Sequence, residues 1–262
     1  MREQHKVNED GSITRFIEWA CKYGPTSGRT WNVVTGCEHE CTFTIGGKTT
    51  ICYAKARANR FKSLYPQGFE HHYFHEGRLE EPLNEKKPCG VFLDSMSDLM
   101  GANVPEADIW RVLDICHRAD WHTFFLLTKN APRLEKFEFP TNVWVGVSMP
   151  PTSMYGKELT PDQQHAFMQR SWAALENVKG GGVAWASLEP LTRPIERELE
   201  TFPGQWAVIG AASNGNAIYQ PKPEWVRNAL QILDTNDVKV FFKGNLAGNP
   251  AATPWREEYP PH

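Results

Sequence analysis

From residue 90 onward the chain alternates between two hydrophobic patterns. Apolar runs of about four to eight residues, each stopping at polar side chains, read as strands. They are GVFLDSM (90–96), WHTFFLLTKN (121–130), NVWVGVSM (142–149), GVAWASLEPL (182–191), QWAVIGAAS (205–213) and VKVFFKGN (238–245). Between them lie segments with helical spacing. PEADIWRVLDICHRA puts Ile109, Val112, Leu113 and Cys116 at helical intervals, and APRLEKF opens a shorter helix. TPDQQHAFMQRSWAAL starts with Thr160 at the N-cap and Pro161 at the first helical position, both favoured there. PEWVRNALQIL is the last helix. Strands without strict alternation, each followed by a helix, predict a parallel sheet of βαβ units.

Upstream, Val33-Val34 followed by Thr35-Gly36 predicts a short strand entering a loop, and YAKARANRF predicts a basic helix running to about Leu64. Residues 13–23 read as a short entry segment. With the strand before the loop the chain has about seven strands, one short of a complete barrel. The expected fold class is therefore α/β, a partial or irregular (β/α) barrel, with a doubly wound open sheet as the alternative. No internal repeat or long linker interrupts the rhythm. One domain is expected over residues 1–262, with a polar insert at about 65–88 and a loop-rich C-terminal tail at about 246–262.

Composition narrows the function classes. The net charge of −3 gives no global basic field, so any nucleic-acid contact needs a local patch. Lys55, Arg57, Arg60 and Lys62 could form one. No run of 18 apolar residues occurs, so no membrane span is expected. The N-terminal stretch lacks a signal peptide's apolar core, and six cysteines without a secretion signal point to the reducing cytoplasm. The ten tryptophans read first as core and loop packing and second as an aromatic cleft. His71, His72 and His75 in the polar insert read as solvated or phosphate-binding before metal-binding.

Candidate chemistry concentrates in residues 31–60. Cys37 and Cys41 are four apart, and Cys52 follows after TFTIGGKTTI. Three thiols on one loop allow three readings. An iron–sulfur cluster normally takes four ligands, so a three-thiolate cluster leaves one iron open. A catalytic zinc site also uses three protein ligands, and a structural one could enlist the adjacent His39 at the cost of a strained shell. Buried free cysteines are the third reading, and it is preferred for Cys89 and Cys116. The strand ends gather polar residues in turn: Asp94, Ser95, Ser97 and Asp98, then Thr128 and Lys129, Ser148, Glu189, Ser213 and Asn214, and Lys243. In parallel barrels chemistry sits at that end of the strands.

TWNVVTGC and CYAKARA, followed in order by VFLDSMSDLM, FFLLTKNAPRL, NVWVGVSM, ASLEPL, WAVIGAAS and EWVRNALQILDTNDVKVFFK, carry a resemblance over most of residues 29–245. The chain resembles a phage- and prophage-associated family of radical-SAM-like proteins of unknown function, distantly similar to spore photoproduct lyase. The usual radical-SAM spacing is C-x3-C-x2-C. Here the first gap is kept and ten residues fill the second. Gly46-Gly47 predicts a tight hairpin that returns Cys52 to Cys41. The resemblance implies a barrel of the radical-SAM type, a [4Fe-4S] cluster on Cys37, Cys41 and Cys52, and S-adenosyl-L-methionine as cofactor. It implies that Ser95, Ser97 and Asp98 stand where the methionine amino group is contacted. Lys129, or failing it Lys243, would meet the carboxylate, and Ser148 and Glu189 the ribose. It points to DNA or RNA as substrate. The alternative is a non-catalytic zinc- or cluster-binding module for a protein partner.

Overall fold

In the strands after residue 90 successive side chains enter two different apolar cores. Val91 and Leu93, Phe124 and Leu126, Val143, Val145 and Val147, Ala186 and Leu188, Ala207 and Ile209, and Val240 and Phe242 join one core. The intervening Phe92, Phe125, Trp144, Trp185, Trp206 and Phe241 join the other. A strand that is apolar on both faces must be covered on both, which is why these runs lack an alternating polar pattern.

The computed structural model describes residues 1–3, 5–7, 13–15, 17–23, 28–45, 47–214 and 217–261. Its main sheet has eight strands, lying side by side in chain order: Arg2–Glu3, Arg29–Trp31, Gly90–Leu93, Thr123–Thr128, Val143–Ser148, Ala184–Leu188, Trp206–Ile209 and Lys239–Phe242. The first strand pairs antiparallel and the other pairings are parallel. The first and last strands are the two edges of this sheet.

Right-handed crossovers between successive neighbours put all their helices on one face. Accordingly Glu106–Arg118, Pro161–Glu176 and Pro223–Thr235 bury Ile109, Val112, Met168, Trp172, Val226 and Ala229 in the same core. The doubly wound alternative, with helices on both faces, does not describe this chain. The Pro161 helix starts as its sequence predicts. Gln163 N donates to Thr160 Oγ1 at 3.3 Å, and Thr160 N donates to Gln163 Oε1 at 2.9 Å, a reciprocal cap.

The opposite face is covered from the two ends of the chain. Trp19, on the short helix Glu18–Cys21, meets Phe92 edge-on with centroids 5.1 Å apart. Tyr259 donates its hydroxyl to Trp19 O at 2.7 Å and lies 5.4 Å from Trp206. Edge-to-face aromatic pairs add about 0.5–1.5 kcal/mol beyond area burial. Six of the tryptophans (19, 31, 144, 172, 185 and 206) are thus core residues, whereas Trp110 and Trp255 are exposed.

Several local expectations change. The parallel strand ahead of the cysteine loop is Arg29–Trp31, earlier than Val33-Val34, and Val34–Thr35 instead pairs antiparallel with Tyr73–Phe74 of the polar insert. APRLEKF folds as a 3-10 helix, Ala131–Lys136. The basic helix ends at Arg60, and a 3-10 turn covers Lys62–Leu64. In the entry segment Ile13–Arg15 is a strand paired with His5–Val7, and position 16 lies outside the described residues. In the tail, Phe242 N donates to Arg256 O at 2.8 Å and Glu258 N to Val240 O at 3.0 Å, so residues 256–258 run along the last strand. Among the described residues no helix is long and apolar enough to cross a membrane.

Candidate functional site

The cysteine loop is fixed by its first turn. Gly36 has φ of 94°, and a Cβ there would lie 1.7 Å from the His71 carbonyl oxygen. Only glycine takes that conformation freely. Gly36 N donates to Met96 O at 2.9 Å, Ser97 Oγ donates to Gly36 O at 2.6 Å, and Cys37 N donates to Phe69 O at 2.7 Å. The loop is therefore stitched to the segment after the Gly90–Leu93 strand and to the polar insert.

The ten residues between Cys41 and Cys52 form the predicted hairpin. Thr42–Ile45 pairs antiparallel with Lys48–Ile51, in the register Thr42 opposite Ile51. Gly47 carries the φ of 75° that the turn needs, and position 46 lies outside the described residues. At the closed base Cys52 N donates to Cys41 O at 2.9 Å. The long gap thus returns Cys52 to its place beside Cys41. A second segment clamps the hairpin: Thr44 N donates to Thr152 Oγ1 at 2.9 Å, and Thr152 N to Thr42 O at 3.0 Å. Cys52 then caps the helix Tyr53–Arg60.

All ten predicted site residues line one cavity of about 560 Å³: Cys37, Cys41, Cys52, Ser95, Ser97, Asp98, Lys129, Ser148, Glu189 and Lys243. It opens at the carboxyl ends of the parallel strands and has an apolar floor that includes Trp19, Phe92 and Leu127. Ser213 also lines it. Cys89 and Cys116 are buried in the helix-side core. His71, His72 and His75 do not converge on the cavity. His75 Nε2 lies 2.9 Å from Thr35 Oγ1, and His72 Nε2 lies 3.9 Å from Asp108 Oδ2.

Three acidic groups organise the polar wall. Asp98 accepts from Lys129 N at 2.8 Å and from Met100 N at 3.0 Å, and its Oδ2 lies 3.5 Å from His39 Nδ1. It thereby ties the cysteine loop to two strand ends. Lys129 has no ion-pair partner among the described residues, so its ammonium charge is available to a ligand. Glu189 accepts from Lys243 Nζ at 3.3 Å, and its other oxygen, Oε1, has no hydrogen-bond partner among the described residues. Burial raises the Glu189 carboxyl even though Lys243 lowers it. Asp94, which opens the strand-end segment 94–98, and His39, weighed as a zinc ligand, also line the cavity. Each has one buried polar atom without a partner among the described residues, Asp94 Oδ2 and His39 Nε2. Burial lowers the His39 pKa, against the attraction of Asp98. A histidine directly between two candidate ligands was the sequence signal for the second of these.

The donor set is soft and desolvated. Burial, reinforced by Asp98, pushes the Cys37 thiol up, and burial pushes Cys41 up to about 11 against the Lys129 charge. Thiolates are the metal-binding form, so loading such a site releases protons. Among the described residues no group of three or more His, Cys, Asp or Glu side chains is arranged to hold a metal ion. Three cysteines that line one cavity are the donor type that an iron–sulfur cluster takes.

A family model described as "Protein of unknown function (DUF5131)" matches residues 16–249. No curated protein and no solved structure matches the chain.

Proposed function

The chain belongs to the DUF5131 family, and we propose that it is a radical S-adenosyl-L-methionine enzyme built on a partial (β/α) barrel, with Cys37, Cys41 and Cys52 as the three protein ligands of a [4Fe-4S] cluster. The observation that carries this reading is the convergence of all three thiols and seven polar strand-end residues on one cavity. When bound and reduced by an external one-electron donor, such a cluster would supply the electron that splits S-adenosyl-L-methionine into methionine and a 5′-deoxyadenosyl radical able to take hydrogen from substrate.

The protein's own residues do the binding and shielding. Lys129, held in place through its backbone on Asp98, offers a cation to the methionine carboxylate; a charge-assisted hydrogen bond is stronger than a neutral one. Ser95 and Ser97 lie on the segment that also receives the Gly36 amide, so the proposed amino-group contacts are hydrogen-bonded to the cysteine loop. Glu189 turns one oxygen to Lys243 and keeps Oε1 unpaired, an acceptor suited to a ribose hydroxyl. Trp19, Phe92 and Leu127 supply an apolar floor that excludes water.

The test is anaerobic reconstitution with iron and sulfide, followed by metal analysis and a reductive cleavage assay. Wild type should be brown and should release 5′-deoxyadenosine when reduced. Cys37→Ala, Cys41→Ala and Cys52→Ala should each lose the chromophore, and Cys89→Ala and Cys116→Ala should keep it. A colourless protein with stoichiometric zinc would favour a metal-stabilised binding module instead.

A further inference from the structure

A second cavity of about 400 Å³ adjoins the first and shares Asn32, Arg57 and Met96 with it. The two form one groove leading from the cysteine loop to the outer side of the helix Tyr53–Arg60. Its walls differ in chemistry. Phe61 and Leu64 are 51% and 65% exposed, although both are large and apolar. Tyr65 stands edge-on to Phe69 and Tyr73, with centroids 5.5 and 5.7 Å away, and is held in place. Arg57 and Arg78 face the same space. The Arg57 guanidinium lies 5.9 Å from the Phe61 ring centroid. Arg78 Nη1 donates to Asn32 O at 2.9 Å, which fixes its side chain while leaving its other donors.

The charge pattern selects among ligands. Lys55, on the same helix, is neutralised by Glu40 at 3.1 Å and Glu70 at 2.6 Å. Arg57 has no carboxylate partner among the described residues. The exposed Phe61 ring and the half-buried Tyr65 ring beside arginines in a groove suit a ligand that is planar and anionic at once, since every base offers a π-face and every phosphate a bidentate acceptor.

We infer that this groove binds a nucleotide of single-stranded nucleic acid, with its base on Phe61 and Tyr65 and its phosphate on Arg57 and Arg78, and presents the adjoining nucleotide to the cysteine cavity. The substrate class deepens the proposed enzyme reading and rests on it, whereas the groove itself does not require the cluster. Single strands suit the geometry because a base inside a duplex cannot reach such a wall.

The experiment is a fluorescence-anisotropy titration of a labelled single-stranded oligothymidylate at several salt concentrations. It is run on the full chain and on the triple variant Cys37→Ala/Cys41→Ala/Cys52→Ala, with thymidine monophosphate as a competitor. Wild type should bind with an affinity that falls as salt rises. Phe61→Leu should weaken binding about fivefold or more, and Phe61→Trp should restore it, because stacking is what is lost. Arg57→Ala should weaken binding and flatten the salt slope by about one counterion. The triple cysteine variant should bind as wild type does. Absence of oligonucleotide binding, binding of the mononucleotide alone, or equal affinity in Phe61→Leu and wild type would each overturn the inference. A wild type that takes up no iron and sulfide on anaerobic reconstitution overturns the enzyme reading, and its binding of the oligonucleotide leaves the groove standing.

Discussion

Val34 donates its backbone N–H to Asp94 Oδ1 at 2.9 Å, and Asp94 Oδ2, buried in the cavity wall, has no hydrogen-bond partner among the described residues. Asp94 also holds a left-handed φ of 50°. Burial raises its carboxyl well above the ordinary range.

That shift makes stability depend on pH. Above the ordinary carboxylate range the unfolded chain has released the Asp94 proton while the folded protein still holds it. The folded state then binds more protons, so stability falls as pH rises through this window. Asp94→Asn keeps the acceptor for Val34 and removes the titration. The stability difference between variant and wild type should change by up to about 1.4 kcal/mol per pH unit, in the variant's favour at higher pH. Urea midpoints of the two proteins, followed from mildly acid to neutral pH, measure this. Parallel pH profiles would mean that Asp94 is ionised in the folded protein.

Lys129→Ala should weaken S-adenosyl-L-methionine binding without loss of iron, because it removes a charge partner and no ligand. The expected loss is about 1.5–3 kcal/mol, the size of a hydrogen bond to a charged group. Calorimetry on reconstituted protein reads it directly. An unchanged affinity would move the carboxylate contact to Lys243.

Gly36→Ala should release the cysteine loop. The added Cβ cannot coexist with the His71 carbonyl, and the φ of 94° is strained for any side chain. Iron content after reconstitution should drop while far-ultraviolet circular dichroism stays close to wild type. Gly47→Ala is the matched control. It has φ of 75° but nothing within 4 Å of the added carbon, so it should cost only about 1–2 kcal/mol and keep the iron.

Gly146→Ala tests the aromatic face of the sheet. A Cβ at 146 would lie 2.2 Å from the Trp185 ring, in a core where Trp185 and Trp206 are fully buried. Overpacking of this kind typically costs about 1–3 kcal/mol. A lower denaturation midpoint is expected, and an unchanged one would show that Trp185 has room to move.

The parallel strands were legible because both faces of each are buried, so Val143–Ser148 or Trp206–Ile209 reads as a continuous apolar run. The return of Cys52 to Cys41 was legible too, since two glycines between threonine-rich flanks signal a hairpin. The strand Arg29–Trp31 was not. It has three residues, and its place is set by Gly90–Leu93, some sixty positions away. Nor could the sequence separate Arg57 from Lys55 as cations. Lys55 is matched by Glu40 and Glu70, which reach it from the cysteine loop and the polar insert. His71, His72 and His75 looked like a cluster only along the chain; in space His72 faces the helix of Asp108 and His75 the strand of Thr35.

The docking of residues 256–258 on Lys239–Phe242 bears on how the protein behaves in a crowd. A parallel sheet left open at its last strand would offer a row of unpaired amides and carbonyls to any neighbouring chain. Here Arg256 and Glu258 engage Phe242 and Val240 through their backbones, and the Glu258 carboxylate takes the Val240 amide as well, at 3.0 Å. The opposite edge ends in a strand of only two residues. Shortening the chain before Arg256 would thus expose an adhesive border of Val240, Phe241 and Phe242 and strip Tyr259 from Trp19 and Trp206, and the first symptom would be self-association.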